Sequence, residues 1–144
     1  MNFVIDASVL IKFYIPEILS DEAEGLLTRV EQGDVMLFAP DLIYPEVGNI
    51  LWKKQRMKEL TRSEVEEITD AIMSLPLKIE TSKLLLPLAI DIGTAYGITI
   101  YDAIYVSMAR IYETKMMTAD KKLADAMAKT DLKEYVAWLG SHKW

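Results

Sequence analysis

Apolar positions along this chain follow two different rhythms. Short runs rich in apolar residues mark Phe3–Ile5, Val35–Phe38, Leu77–Glu80, Lys115–Thr118 and Tyr135–Leu139 as strands. Between them, apolar residues recur at helical spacing. Val9–Tyr14 predicts a short helix that stops near Pro16. Ser20 is placed to cap a second helix, with Ala23, Leu26, Leu27 and Val30 on one face and Gly33 at its end. Asp41 is placed to cap a helix through Lys54 whose inner face carries Ile43, Val47, Ile50 and Leu51. Thr61 with Glu64 forms a capping-box pattern and opens a helix that buries Val65, Ile68 and Ile72 before Pro76. Leu84–Tyr96 carries a stripe of Leu88, Ile92 and Ala95 despite Pro87, and ends at Gly97. Thr99 precedes a helix with Ile104, Met108 and Ile111 on one face. Asp120 starts a last helix with Leu123 and Met127 inward.

Strands that alternate with helices predict an α/β fold, a parallel sheet covered on both faces. Residues 1–144 read as a single domain, without repeat, linker or low-complexity stretch. In such a sheet the crossover helices run back against the strands. Strand C-terminal ends and helix N-termini therefore share one edge, where α/β proteins place ligands. Asp6 and Asp120 directly follow strands. Glu46 lies in the first turns of the helix after the second strand, and Asp102 opens the helix that leads into the fourth. All four acids are expected at that edge.

Composition narrows the chemistry. The chain has no cysteine, so disulfides, zinc–thiolate sites and thiol nucleophiles are excluded. Its one histidine is His142, read as a plain residue of the tail, so a Ser-His-Asp mechanism is not expected. The start, MNFVIDASVLIKF, reads as a strand and not a signal peptide, and Leu84–Ile90 is far shorter than the about 20 residues of a membrane span. A cytoplasmic protein with no membrane partner is expected. Net charge is −6, whereas proteins that hold nucleic acid by bulk electrostatics are usually basic. If this chain acts on a polyanion, a metal ion or a local basic patch must supply the attraction.

Taken singly, Asp6 and Asp120 suit helix N-caps, Asp102 suits a helix dipole, and Glu46 suits a solvated helix face. Together they are costly. Two unit charges roughly 4 Å apart repel by about 4 kcal/mol at an effective dielectric near 20. A cluster of hard oxygen donors without histidine or cysteine is what a hard divalent cation requires.

Four segments then carry a family resemblance: Val4-Ile-Asp6-Ala-Ser8, Glu46-Val-Gly-Asn49-Ile-Leu-Trp52, Ile100-Tyr-Asp102-Ala-Ile-Tyr and Thr118-Ala-Asp120. In order and spacing, over essentially the whole chain, they resemble the PIN domain, and the length resembles the VapC-type toxins of toxin–antitoxin modules. The resemblance implies a PIN-like three-layer α/β/α fold with a central, mostly parallel sheet of about five strands. It implies an endoribonuclease dependent on Mg²⁺ or Mn²⁺, with Asp6, Glu46, Asp102 and Asp120 as metal ligands and catalytic residues. Ser8, Asn49 and Thr118 match supporting positions. It further implies an RNA substrate, an antitoxin partner and a homodimer.

Lys53-Lys-Gln-Arg-Met-Lys58 follows the Glu46 helix and reads either as an RNA phosphate grip or as cations offsetting a helix C-terminus. Lys12, Lys53 and Lys54 are the candidate RNA contacts. Trp52, Met57 and Tyr14 are candidates for an exposed apolar partner surface. A receiver domain would need an adjacent acid pair at Asp6, and an aspartyl phosphatase an acid where Ser8 stands. The alternative function is a PIN-like module that binds through a partner or dimer without cutting.

Overall fold

The sheet is built outward from one buried strand. In the computed structural model, which describes residues Met1–Trp144, β1 (Asn2–Ile5) buries all but its first residue. A strand apolar on both faces needs cover on both faces and partners on both edges. β1 pairs with β2 (Met36–Pro40) on one side and β4 (Lys115–Thr118) on the other. β3 (Leu77–Glu80) and β5 (Val136–Trp138) complete the edges. The order is β3-β2-β1-β4-β5, and every pairing is parallel.

Seven α-helices flank this sheet: α1 (Ala7–Leu10), α2 (Ser20–Glu31), α3 (Ile43–Arg56), α4 (Arg62–Ser74), α5 (Ser82–Tyr96), α6 (Ile100–Ile111) and α7 (Lys121–Ala128). The expected three-layer α/β/α architecture with a five-stranded parallel sheet is what the chain adopts. α6 is the central cover. Every residue from Ala103 to Ala109 is buried, because α5 lies on one side and β1, β2 and β4 lie on the other. No single helix is long and apolar enough to cross a membrane.

Strand order decides where a site can form. β1 leads outward to β2 and β3, and the chain then crosses back over β1 to β4 on its other side. The C-terminal ends of β1 and β4 thus flank the topological switch point. Register aligns Ile5 with Met117, so the next step brings Asp6 beside Thr118.

Several local expectations are corrected. Asp41 does not cap α3. The preceding residue is Leu42, with no side-chain cap, and Asp41 instead accepts bonds from the backbone and hydroxyl of Ser82, tying β2 to α5. Ser20 lies inside α2, where its hydroxyl accepts from the Glu17 backbone, and Leu19 at φ 69° stands at the N-cap. The second strand runs from Met36 to Pro40, later than the apolar run suggests, and the last narrows to Val136–Trp138. α5 buries Leu85, Ala89 and Ile92, leaving Leu88 half-buried and Ala95 exposed. Ile111 is 49% exposed at the end of α6. In α4 only Ile72 is fully buried. The Thr61–Glu64 capping box is present with both reciprocal bonds.

Candidate active site at the switch point

Asp6 is the centre of the constellation and is only 8% exposed. Its position follows from β1 ending against α1, where Asp6 serves as N-cap and its Oδ1 accepts from the Val9 backbone at 3.1 Å. Ser8 Oγ donates to the same oxygen at 2.5 Å, and Thr118 Oγ1 donates to Oδ2 at 2.5 Å. The two hydroxyls also fix the neighbouring backbone. Ser8 Oγ accepts from the Ala119 amide at 3.0 Å and Thr118 Oγ1 from the Asp120 amide at 3.1 Å. One network therefore locks the ends of β1 and β4 together. Burial pushes the Asp6 carboxyl above its usual range. The bonds from Ser8, Thr118 and Val9 work against that rise, and the charge of Asp102 adds to it.

The other acids come from three helix starts at the same edge. Asp120 is the N-cap of α7, its Oδ1 accepting from the Leu123 amide at 3.1 Å. Asp102 lies in the first turn of α6, and its amide donates to the capping Thr99 hydroxyl at 3.1 Å. Glu46 stands in the first turn of α3. Helix N-termini favour negative charge, which partly offsets the crowding. The offset is incomplete. Burial raises Asp102, against the Thr99 hydroxyl and with the charge of Asp120. Burial also raises Glu46, opposed by Tyr105 and reinforced by Asp6 and Asp102. Asp6 and Asp120 each close a helix as its N-cap, and the charge of Asp102 bears on Asp6.

Asp102 and Asp120 face a cleft of about 390 Å³ lined also by Ile98, Thr99, Lys122 and Leu123. The donor set is all carboxylate and hydroxyl oxygen, and Asp6, Glu46 and Asp102 are each raised in part by the charge of another acid of the set. That chemistry fits a hard divalent cation. The spacing is looser than expected for direct shared ligation, since no three acidic or histidine side chains converge on one point.

Not every candidate joins this cluster. Asn49, one turn beyond Glu46 on α3, is exposed and makes no side-chain hydrogen bond to it. It lines a separate cleft of about 460 Å³ with Trp52, Lys53, Arg56 and Met57. Lys12 is bound to Glu17 at 2.9 Å with its side chain 12% exposed, and Lys54 bridges Glu17 and Glu59 at 3.3 Å each. Burial works against the Glu17 charge, but the two lysines outweigh it and hold that carboxyl below its usual range. Lys53 has no ion-pair partner. Trp52 is 55% and Met57 59% exposed, whereas Tyr14 is packed against the core and donates to the Ala71 carbonyl. His142 is no loose tail residue. Its ring packs against Phe3 and Trp144, with centroids at 5.8 and 5.1 Å.

Sequence reasoning passed over one residue of the site. Tyr105, 1% exposed on α6, donates its hydroxyl to Glu46 Oε1 at 2.9 Å. Its signal was its place three residues after Asp102, on the same helix face. Burial and the charges of Glu46, Asp6 and Asp102 raise its phenol far above the ordinary value.

An α/β sheet with acids at this switch point is one of several folds, and comparison with known proteins narrows the class. The PIN domain family model matches residues 3–129, and the chain belongs to that family. Within it, the chain is 32% identical over 127 residues to "Ribonuclease VapC3" of Pyrobaculum aerophilum, covering 87% of this chain and 94% of that protein. Solved structures share the fold. PAE2754 of Pyrobaculum aerophilum aligns with a TM-score of 0.67 at 20% identity, over 98% of this chain and 85% of that one. A toxin–antitoxin complex from Klebsiella pneumoniae aligns at 0.63 and 13% identity, over 94% and 95%. VapBC2 of Rickettsia felis, bound to a DNA fragment from its promoter, aligns at 0.61 and 11% identity, over 96% and 98%.

Proposed function

We propose that this chain is an endoribonuclease of the VapC toxin type that requires Mg²⁺ or Mn²⁺. One observation carries the reading: Asp6, Glu46, Asp102 and Asp120 gather at the switch point of a PIN-domain sheet whose relative is a ribonuclease. In this reading those four carboxylates hold the ion. Such an ion, when bound, supplies a water of lowered pKa and offsets charge on the scissile phosphate. The chain's own part is orientation. Ser8 and Thr118 fix both oxygens of Asp6, and Thr118 also sets the Asp120 backbone. The buried setting of Asp6 keeps competing water from its carboxylate. Lys53, free of an acidic partner, is the best placed of the three lysines to meet an RNA phosphate, with Asn49 beside it.

The reading extends to partners. In the same reading the chain is a cytoplasmic homodimer restrained by a cognate antitoxin, and neighbours solved as toxin–antitoxin complexes support the antitoxin part of it. The deciding experiment is cleavage of single-stranded or loop RNA. Cutting should require Mg²⁺ or Mn²⁺ and stop with EDTA. Asp120→Ala should lose activity by orders of magnitude, and His142→Ala should retain it. Cleavage that survives EDTA, or that needs His142, overturns the assignment.

A further inference from the structure

We infer that Tyr105 is a positioning residue for Glu46, without which Glu46 no longer serves a cation at this site. The inference rests on the proposed metal-dependent reading and assigns a part of it to a residue outside the acidic set.

The geometry is specific. Tyr105 sits in the middle of α6, where burial on every side leaves the ring no freedom, and is 1% exposed. Its hydroxyl reaches across to α3 and donates to Glu46 Oε1 at 2.9 Å. Glu46 has no other hydrogen-bond donor from the protein, unlike Asp6, which has three. Glutamate has three rotatable side-chain bonds and Glu46 is only half-buried. The charges of Asp6 and Asp102 bear on it from the site side. An unheld glutamate in that field would turn toward solvent, where its charge is screened. The Tyr105 hydroxyl opposes that turn. It occupies one oxygen and leaves Oε2 for a ligand. A phenol is well suited to this, because it donates a proton without adding a cation that would compete with the metal ion.

Hydrogen bonds of this kind to a metal-ligating side chain typically affect metal affinity by about 10–100-fold. Isothermal titration of wild-type protein and Tyr105→Phe with Mn²⁺ alone, without RNA, tests the inference. Mn²⁺ binding should weaken by about 10–100-fold in Tyr105→Phe, while circular dichroism shows an unchanged fold. In a Glu46→Gln background the same substitution should change Mn²⁺ affinity by less than about twofold, as expected when two residues act as one unit. RNA cleavage should fall through kcat, with KM for RNA unchanged.

Should Tyr105→Phe fail to fold, wild-type protein labelled at the tyrosine ¹³Cζ answers the same question. The one resonance displaced by Glu46→Gln belongs to Tyr105, and it must also move on addition of Mg²⁺. A folded Tyr105→Phe that binds Mn²⁺ within about twofold of wild type, or a Tyr105 resonance indifferent to Mg²⁺, overturns the role of Tyr105 and leaves the nuclease reading standing. Wild-type protein that binds no Mn²⁺ overturns both.

Discussion

At the scale of single residues, the decisive fact is that a carboxylate in this protein has two jobs at once. Asp6 and Asp120 cap helices and crowd one another's neighbours; Asp102 joins the crowd from the first turn of α6. The crowding predicts an unusual pH dependence. The Asp102 carboxyl is raised by burial and by Asp120, so between its unfolded and folded values the native state binds more protons than the unfolded chain. Its contribution to stability is present in full below the unfolded value, about 3.9, and is lost as pH rises through the folded one. Asp102→Asn should therefore stabilise the metal-free protein at neutral pH, and the advantage should vanish as pH falls below about 4. Thermal melts of both proteins across that range, in EDTA, check this. Mg²⁺ should erase the advantage by stabilising wild type alone. A loss of stability in Asp102→Asn at neutral pH would mean that its place at the helix start outweighs the repulsion. The lysines make a second contrast. Lys12 and Lys54 are engaged by Glu17, and Lys53 is not. Lys53→Ala should lower the salt slope of RNA binding by about one, and Lys12→Ala should leave that slope unchanged.

At the scale of elements, what the sequence made legible was the alternation of strand and helix and the placement of acids at strand ends. These depend on local pattern and on the geometry of parallel crossovers, which few alternatives satisfy. Which acids cap which helix was less legible. Asp41 has the chemistry of a cap but is drawn to Ser82, a partner 41 residues away that no local pattern announces. α5 is apolar on nearly every face, so periodicity admits two stripes three residues apart, and packing against α6 selects the one through Leu85 and Ala89. Tyr105 escaped notice because its value lies in a contact across two helices. Asn49 was carried by resemblance to a place its exposed position on α3 does not support by hydrogen bonding. The capping of α6 gives this scale its prediction. Thr99 closes the turn that carries Asp102. Thr99→Ala should cost about 1 kcal/mol in stability and weaken Mn²⁺ binding by fraying that turn. Thr99→Ser, which keeps the oxygen, should restore both. Equal Mn²⁺ affinity in Thr99→Ala would show that Asp102 is held by packing and not by its cap.

At the scale of the whole molecule, an acidic protein has to meet a polyanion. Net charge is −6, and four carboxylates lie where the reaction is proposed. Attraction must then come from the bound ion and from nearby cations without an acidic partner, such as Lys53, so RNA affinity should depend on the ion more than on bulk charge. The outer surface raises the question of association. Trp52, Met57, Leu84, Leu86, Ile90 and Tyr101 are all at least 43% exposed, apolar side chains that a partner surface could cover. A second copy of the chain would cover some of them. Light scattering at micromolar concentration should give twice the 16.4 kDa of one chain. Dissociation on dilution should expose Trp52 and red-shift its fluorescence if α3 lies in the contact, whereas burial of α5 alone would leave that signal unmoved. A species of 16.4 kDa at every concentration would remove the dimer from the picture and leave the apolar faces to the antitoxin.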